Sequence, residues 1–493
     1  MKILHVGYGF RPFRGGGLIT YSEDLMQAQV RLGHKVAYFC DGRYYGAGKK
    51  PIRKRWIRQG VTMYEIVNPP VIHGGDLGTL KPRADLEETQ SEVLFRRTLE
   101  EFRPDVVHIQ QLSGLPSSLI GIAKNTKIPV LMTLQDYYML CPTLKLYDQD
   151  RRTCLSSHVG ERCVMCCQNA YKSAEILAGA SRYYDRDRLK SLLPSGVRRF
   201  LKLLLKQVRG PGGTRVGRSE SQDGKQEPRR GLPAVLGAEF QARRDRNVEH
   251  LNQVDLLIAQ SHRVKEIYKI LGVDESRMRT MQLTLAHMGT LKRNNLAPIS
   301  GPINFATLNG CINPKKGAEV ISGALKILHE KNLLDSFRLF VWGGLEDGTR
   351  KELDGFPNVI QRSWYSVDQL DSMLESVHVG LVPSTWEEAY AFVGVEFLAK
   401  GIPVIGNAIG GIVDYTKPGV TGWLNYTNDA DGLADIMAQL IRNPREIEQM
   451  HRSITSRYHE IIKPMARHCE EMIEVYQDLL LGRSQTDQRE LQR

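Results

Sequence analysis

Short runs of β-branched and apolar residues alternate along this chain with helix-length amphipathic segments, the pattern of a parallel sheet covered by helices. In the first half the predicted strands are Lys2–Val6, Lys35–Cys40, Asp105–Ile109, Pro129–Thr133 and Val254–Ala259. In the second half they are Ile303–Leu308, Phe337–Trp342, Asn358–Gln361, Val377–Pro383, Pro403–Gly406 and Gly422–Leu424. Each set suffices for its own doubly wound α/β sheet. The polar stretch Met288–Pro302 marks the boundary between them. The expected units are residues 1–290, residues 300–460, and a tail 461–493 whose helix, about His468–Leu481, packs back on the first unit. An insertion at about 141–249 interrupts the first sheet. Two such sheets in tandem imply a cleft between them, a common place for a ligand.

Composition narrows the class. At 493 residues, 41% hydrophobic and 25% charged, the chain has the make-up of a soluble globular protein of two or three domains. No apolar run reaches the ~18 residues of a membrane span. Met1-Lys-Ile-Leu-His-Val-Gly7 enters a strand at once, without the marks of a secretory signal, so a cytoplasmic protein is expected. The net charge of +12 is local: between Gly196 and Arg246 thirteen basic residues face five acidic ones, which accounts for +8 of it. Nucleic acid is therefore not the expected partner. Within that stretch Gly196–Arg209 reads as a helix with Phe200, Leu201, Leu204 and Leu205 on one face, flanked by Arg198, Arg199, Lys202 and Lys206. It suits the surface of an anionic membrane, peripherally, as well as it suits packing on the first domain.

The chemistry concentrates in Val382-Pro-Ser-Thr-Trp-Glu-Glu-Ala-Tyr-Ala-Phe-Val-Gly-Val-Glu396. A buried strand ends at Val382-Pro383, and a helix is expected from about Ala389 to Lys400, stopped by Gly401. Glu388 then stands at the helix start and Glu396 two turns inside, roughly 12 Å along the axis. That is wider than the roughly 5–9.5 Å of a glycosidase pair and suits a long, two-ended ligand with an anion at the helix N-terminus. Taken alone, the spacing fits two solvated surface carboxylates better. Gly15-Gly16-Gly17, after the first strand, would let backbone N–H groups approach a phosphate or sugar, although such a turn is more often only a turn.

Together with Ala399-Lys-Gly-Ile-Pro-Val-Ile-Gly and Gly410-Gly411, that segment resembles the C-terminal signature of the retaining glycosyltransferases of family 4, which have the two-domain GT-B fold. The resemblance implies that Glu396 binds the ribose hydroxyls of a sugar nucleotide and that Glu388 lies beside the donor sugar. Phe392, Val393, Gly410 and Gly411 would belong to the same donor site, with Gly16 and Gly17 opposite. It extends to Asn309-Gly-Cys-Ile-Asn-Pro-Lys-Lys-Gly317, where Lys316 matches the lysine that pairs with the diphosphate and Cys311 stands where relatives often carry arginine. His34-Lys35-Val36 after Leu32-Gly33 resembles the family's R-G-H-x-V ending with leucine for arginine. Asp105-Val-Val-His108 and Thr133-Leu-Gln135-Asp136-Tyr137 through Cys141-Pro142 resemble its D-V-V-H and T-L-H-D segments. They put His108 and Tyr137 on the acceptor side and make Asp136 a catalytic candidate, or simply a capping aspartate. Gln135 replaces a histidine; an amide can hold a hydroxyl but cannot take up a proton. The implied activity is transfer of a sugar from a nucleoside diphosphate sugar to a saccharide or lipid-linked acceptor, with retention and without a catalytic cofactor. A GT-B epimerase and a sugar-nucleotide-binding protein weakened in catalysis are the alternatives.

Of eight cysteines, Cys141, Cys154, Cys163, Cys166 and Cys167 fall within 27 positions. Cys163-x-x-Cys166 has zinc-knuckle spacing, and Cys141 with Cys154 would complete a structural four-thiolate site. An iron–sulfur cluster would use the same ligands.

Overall fold

A computed structural model describes residues 1–45, 50–192, 234–295 and 298–491. Its first sheet holds β1 (Lys2–Gly7), β2 (Lys35–Asp41), β3 (Ile52–Arg58), β4 (Val61–Val67), β5 (Val106–Ile109), β6 (Val130–Leu134), β7 (Leu256–Ala259) and β8 (Met278–Thr280), in the order 3-4-2-1-5-6-7-8. The central strands are buried on both faces, which is why they read as continuous apolar runs. The hairpin β3–β4 does not follow that pattern. Its first strand, Ile-Arg-Lys-Arg-Trp-Ile-Arg, is an antiparallel edge strand on which Lys54 and Arg55 are exposed while Arg53 and Arg58 are partly buried. Gln59 and Gly60 turn it with positive φ at both positions, the geometry a two-residue hairpin needs.

The second sheet holds β9 (Ile303–Leu308), β10 (Phe337–Trp342), β11 (Val359–Arg362), β12 (Val379–Val382), β13 (Val404–Asn407) and β14 (Gly422–Asn425), all parallel, in the order 11-10-9-12-13-14. From β9 the chain winds outward through β10 and β11, then crosses to β12 and winds the other way. The strand ends at β9 and β12 therefore form a switch point, where open α/β sheets hold ligands.

The C-terminal helix Met465–Leu491 returns to the first domain and lies against the helix Gly17–Arg31. Tyr21 Oη and His468 Nε2 are 2.9 Å apart, Gln29 Nε2 donates to Tyr476 Oη at 3.1 Å, and Tyr476 Oη meets His108 Nδ1 at 2.6 Å. The other nitrogen of His108 bonds Thr133 Oγ1 at 2.7 Å. His108 is fully buried, so the acceptor-side position expected for it is not what the chain builds; it ties the core to the last helix. Burial holds its pKa well below the ordinary histidine value, so the ring stays neutral. Tyr476→Phe leaves His108 Nδ1 without its hydroxyl partner. It is expected to cost about 1–3 kcal/mol of unfolding free energy at unchanged m-value in urea.

The insertion carries the helices Gly160–Cys166, Ser173–Leu192 and Ala234–Leu251. The basic segment 196–209, expected as an amphipathic helix, lies outside the described residues. Two of the counted cations are not surface charge at all. Arg243 is 1% exposed, with Nη2 on Asp85 Oδ2 at 2.7 Å and on the Tyr138 carbonyl at 2.9 Å. Arg244, also buried, caps the Leu140 carbonyl.

The zinc expectation, and with it the iron–sulfur one, is not met: among the described residues no three His, Cys, Asp or Glu side chains are arranged to hold a metal ion. Cys163 and Cys167 pack with Val159, Ala170 and Phe240 in a small apolar cluster that Cys154 borders, and Cys141 Sγ sits 3.2 Å from Thr143 Oγ1. Burial pushes the Cys166 thiol up to about 11 and that of Cys167 to about 12, so these groups stay protonated and act as small hydrophobes. No helix among the described residues is long and apolar enough to cross a membrane.

Candidate active site

The site is assembled at the switch point from two loops. After β9, Asn313 Oδ1 accepts from the Lys316 N–H at 3.1 Å and closes a single turn, Pro314–Lys316. Gly317 follows with φ 92°, and a Cβ there would lie 2.2 Å from the Pro383 carbonyl oxygen. Only glycine lets this loop press flat on the loop that follows β12. That contact brings Lys316 Nζ onto Glu388 Oε1, which also accepts from Ser384 Oγ at 2.8 Å. Glu388 is buried while the lysine is partly open to solvent.

The helix begins at Phe392 and not at Ala389. Ala391, with φ 53°, occupies the left-handed region, unusual for a residue with a Cβ and held here by Tyr415 Oη donating to its carbonyl at 3.2 Å. Glu388 thus stands in the loop ahead of the helix, and Glu396 is only one turn inside. Glu396 Oε1 meets His287 Nε2 at 2.8 Å, and Oε2 is enclosed without a partner. His287 sits in the short turn Ala286–Gly289, just ahead of the polar interdomain stretch, where no motif marks it.

The cleft measures about 1200 Å³ and lies between the domains. Lys316, Glu388, Ser384 and Val393 line it from the second domain, Gly16 and Gly17 from the first. Phe392 closes it: a Cβ on Gly17 would come 2.8 Å from the Phe392 ring, so the domains touch there through a bare backbone. Gly410 and Gly411 do not line the cleft. Their N–H groups hold the β12 loop, Gly410 on Glu387 Oε2 at 3.0 Å and Gly411 on the Glu388 carbonyl at 2.7 Å. Cys311 faces away from the cleft, 1% exposed among Ile321, Ala324 and Leu325, and supplies no polar contact.

Asp136 follows β6 in the first domain. Its Oδ1 accepts from the Tyr138 N–H at 2.9 Å and its Oδ2 from Gln111 Nε2. Burial pushes its carboxyl up to about 6 against those two hydrogen bonds. Gln135 Nε2 donates to Gln110 Oε1 at 2.7 Å, and Gln110 in turn contacts His5 at 3.0 Å, so Gln135 belongs to the buried network that ends at Tyr476. Tyr137 does not reach the acceptor side as expected: it is fully enclosed and stacked on Tyr268, with 5.9 Å between ring centroids. Burial foremost, then the charges of Glu387, Glu388 and Asp136, raises its pKa, with Arg263 opposing.

A clasp joins the domains beside Glu388. Arg263 Nη2 meets Glu387 Oε1 at 2.6 Å and its Nε reaches Oε2 at 3.1 Å. Arg263, in the amphipathic helix His262–Ile270, carries no local sequence sign of it.

Comparison with known proteins agrees with this architecture. The family model described as Glycosyl transferases group 1 matches residues 301–457, and that described as Glycosyl transferase 4-like domain matches residues 16–165. A 42.6 kDa protein of the cps region of Klebsiella pneumoniae, itself uncharacterized, is 23% identical over 190 residues, 37% of this chain and 49% of that protein. N-acetyl-alpha-D-glucosaminyl L-malate synthase of Bacillus anthracis is 31% identical over 93 residues, 19% of this chain and 23% of the enzyme. The matches thus span about half or less of these relatives. Among solved structures, sucrose-phosphate synthase of Thermosynechococcus elongatus superposes with a TM-score of 0.58 at 13% identity, covering 98% of this chain and 100% of that one. HepE of Anabaena, solved with UDP and glucose, gives a TM-score of 0.54 at 11% identity, covering 95% and 99%. The fold is GT-B.

Proposed function

We propose that this chain, which belongs to the group 1 glycosyl transferases, moves a sugar from a nucleoside diphosphate sugar onto a saccharide acceptor with retention of anomeric configuration. The observation that carries this reading is the Lys316–Glu388 pair at the switch point of the second sheet, facing a cleft large enough for a sugar nucleotide. In such a transfer the leaving diphosphate gains negative charge as the sugar–oxygen bond breaks. An ammonium held at the cleft wall stabilises that charge without reorganising. Glu388 would face the donor sugar, and Glu396, one oxygen on His287 and the other enclosed without a partner, would take ribose hydroxyls. Asp136, after β6 in the first domain, would receive the acceptor hydroxyl, with Gln135 holding its neighbours in place. A lipid-linked acceptor and a position at the inner face of the membrane rest on the sequence of 196–209 alone. No catalytic metal enters the scheme.

A panel of UDP-, GDP- and ADP-sugars tests it. At least one is expected to raise the melting temperature and to release nucleoside diphosphate slowly without acceptor. NMR of the product should then find the donor's anomeric configuration preserved. Indifference to every donor would sink the proposal.

A further inference from the structure

Of the described residues that line the cleft, Lys316 is the sole cation, whereas Asp76, Glu346, Asp347 and Glu388 are acidic. A nucleoside diphosphate entering this wall brings at least two more negative charges, so the balance must come from outside the lining. A hairpin closed by the Tyr147–Thr153 bridge reaches from the first domain onto the phosphate-side loops of the second. Four contacts hold it there. Lys145 Nζ is 5.6 Å from the centre of the Trp386 ring, and Lys315 Nζ is 5.8 Å from that of Tyr147. Arg151 pairs with Glu319, and Thr153 Oγ1 donates to Glu387 Oε1 at 3.4 Å.

Trp386 is the pivot of this arrangement. Lys316 Nζ also lies 5.6 Å from its ring centre, so one indole has an ammonium from each domain. Its own Nε1–H is enclosed without an acceptor. Each ammonium is held by a carboxylate that lines the cleft, Lys145 by Asp76 and Lys316 by Glu388. Lys145 is largely buried for an ammonium, 16% exposed; burial first, then Lys315 and Lys316, lower its pKa, while Asp76 opposes them. Such crowding of like charge, relieved only by two carboxylates, is an arrangement that favours an anion.

We propose that Lys145 is a second cation of the donor-diphosphate seat, supplied by the first domain beside Lys316 and Trp386, so that the diphosphate bridges the two domains. The inference rests on the sugar-nucleotide reading above. On binding, the diphosphate displaces Asp76 from Lys145 and Glu388 from Lys316, and each lysine exchanges one anion for another.

The test is calorimetry with UDP, GDP and ADP and with the matching monophosphates. Lys145→Met is expected to weaken the diphosphate that the wild type binds by about tenfold, and its monophosphate by less than about twofold. Lys145→Arg should recover most of the loss, because a guanidinium binds phosphate well. Asp76→Asn should tighten diphosphate binding about threefold by removing the competing carboxylate. That variant keeps the hairpin's lysine and needs no Lys145 substitution to fold. Wild-type affinity in Lys145→Met, or equal loss of mono- and diphosphate unrelieved by arginine, would overturn the inference and make Lys145 a structural tie of the hairpin. If the wild type binds no nucleotide, the donor reading itself fails and this inference with it.

Discussion

Lys316→Met is expected to lower kcat/KM by about 10²–10³, the effect of removing one preorganised charge from a developing anion. Binding of the nucleoside diphosphate product should weaken with it. Glu388→Gln separates the roles of the pair. In the structure Glu388 pairs with the ammonium that the proposal assigns to the diphosphate. Its neutralisation should leave diphosphate binding unchanged or tighter while kcat falls, also by about 10²–10³. A pair that served only to hold the β12 loop would behave otherwise, both variants losing stability and activity together. The double variant reports on the coupling. Because the two side chains share one contact, its loss should be well short of the product of the single losses. Melting curves guard the result, since Glu388 keeps only Ser384 Oγ once the ammonium is gone.

The second sheet was almost wholly legible because its central strands β9, β12 and β13 are buried and read as apolar runs. Lys316, Glu388 and Glu396 were singled out for a different reason, the resemblance of their segments to the glycosyltransferase signature; within it, Gly317 marks where backbone must approach Pro383. What stayed hidden arises from contacts between distant segments. Arg263, His287 and Lys145 are each unremarkable locally and acquire meaning only when the domains meet. The β3–β4 hairpin was missed because its edge strand carries four cations in seven positions, which disguises its alternation. His108 and Tyr137 misled for the converse reason. Polar residues at a strand end can face the cleft or pair inward, and here Tyr476, far along the chain, draws His108 into the core. The cysteines have ligand spacing along the chain, yet Cys163 and Cys167 pack with Val159, Ala170 and Phe240, and no three of the described His, Cys, Asp or Glu side chains are arranged to hold a metal.

Asp136→Asn should abolish the acid limb of the rate profile. With its carboxyl pushed up to about 6 by burial, Asp136 would gain the charge of a general base as pH rises through that value. Wild-type kcat/KM is therefore expected to climb across pH 5–7 and level off above. The asparagine variant should be slower by about 10²–10³ at pH 8 and flat across that range. Stability should respond in the opposite sense. The folded-state pKa lies above the ordinary 3.8, so folding favours the protonated carboxyl: its contribution is full below about 3.8 and is lost as pH rises through about 6. Asp136→Asn should accordingly be more stable than wild type at pH 8, by about 1–2 kcal/mol, and no more stable at pH 4. Asp41, beside Arg14 at 3.6 Å, is also raised to about 6 and is the natural control. Asp41→Asn should shift stability with pH in the same direction while leaving the acid limb in place. A limb that survives in Asp136→Asn and vanishes in Asp41→Asn would move the acceptor-side base from β6 to β2. Survival in both would make Asp136 the cap of its own turn, holding the Tyr138 N–H and no more.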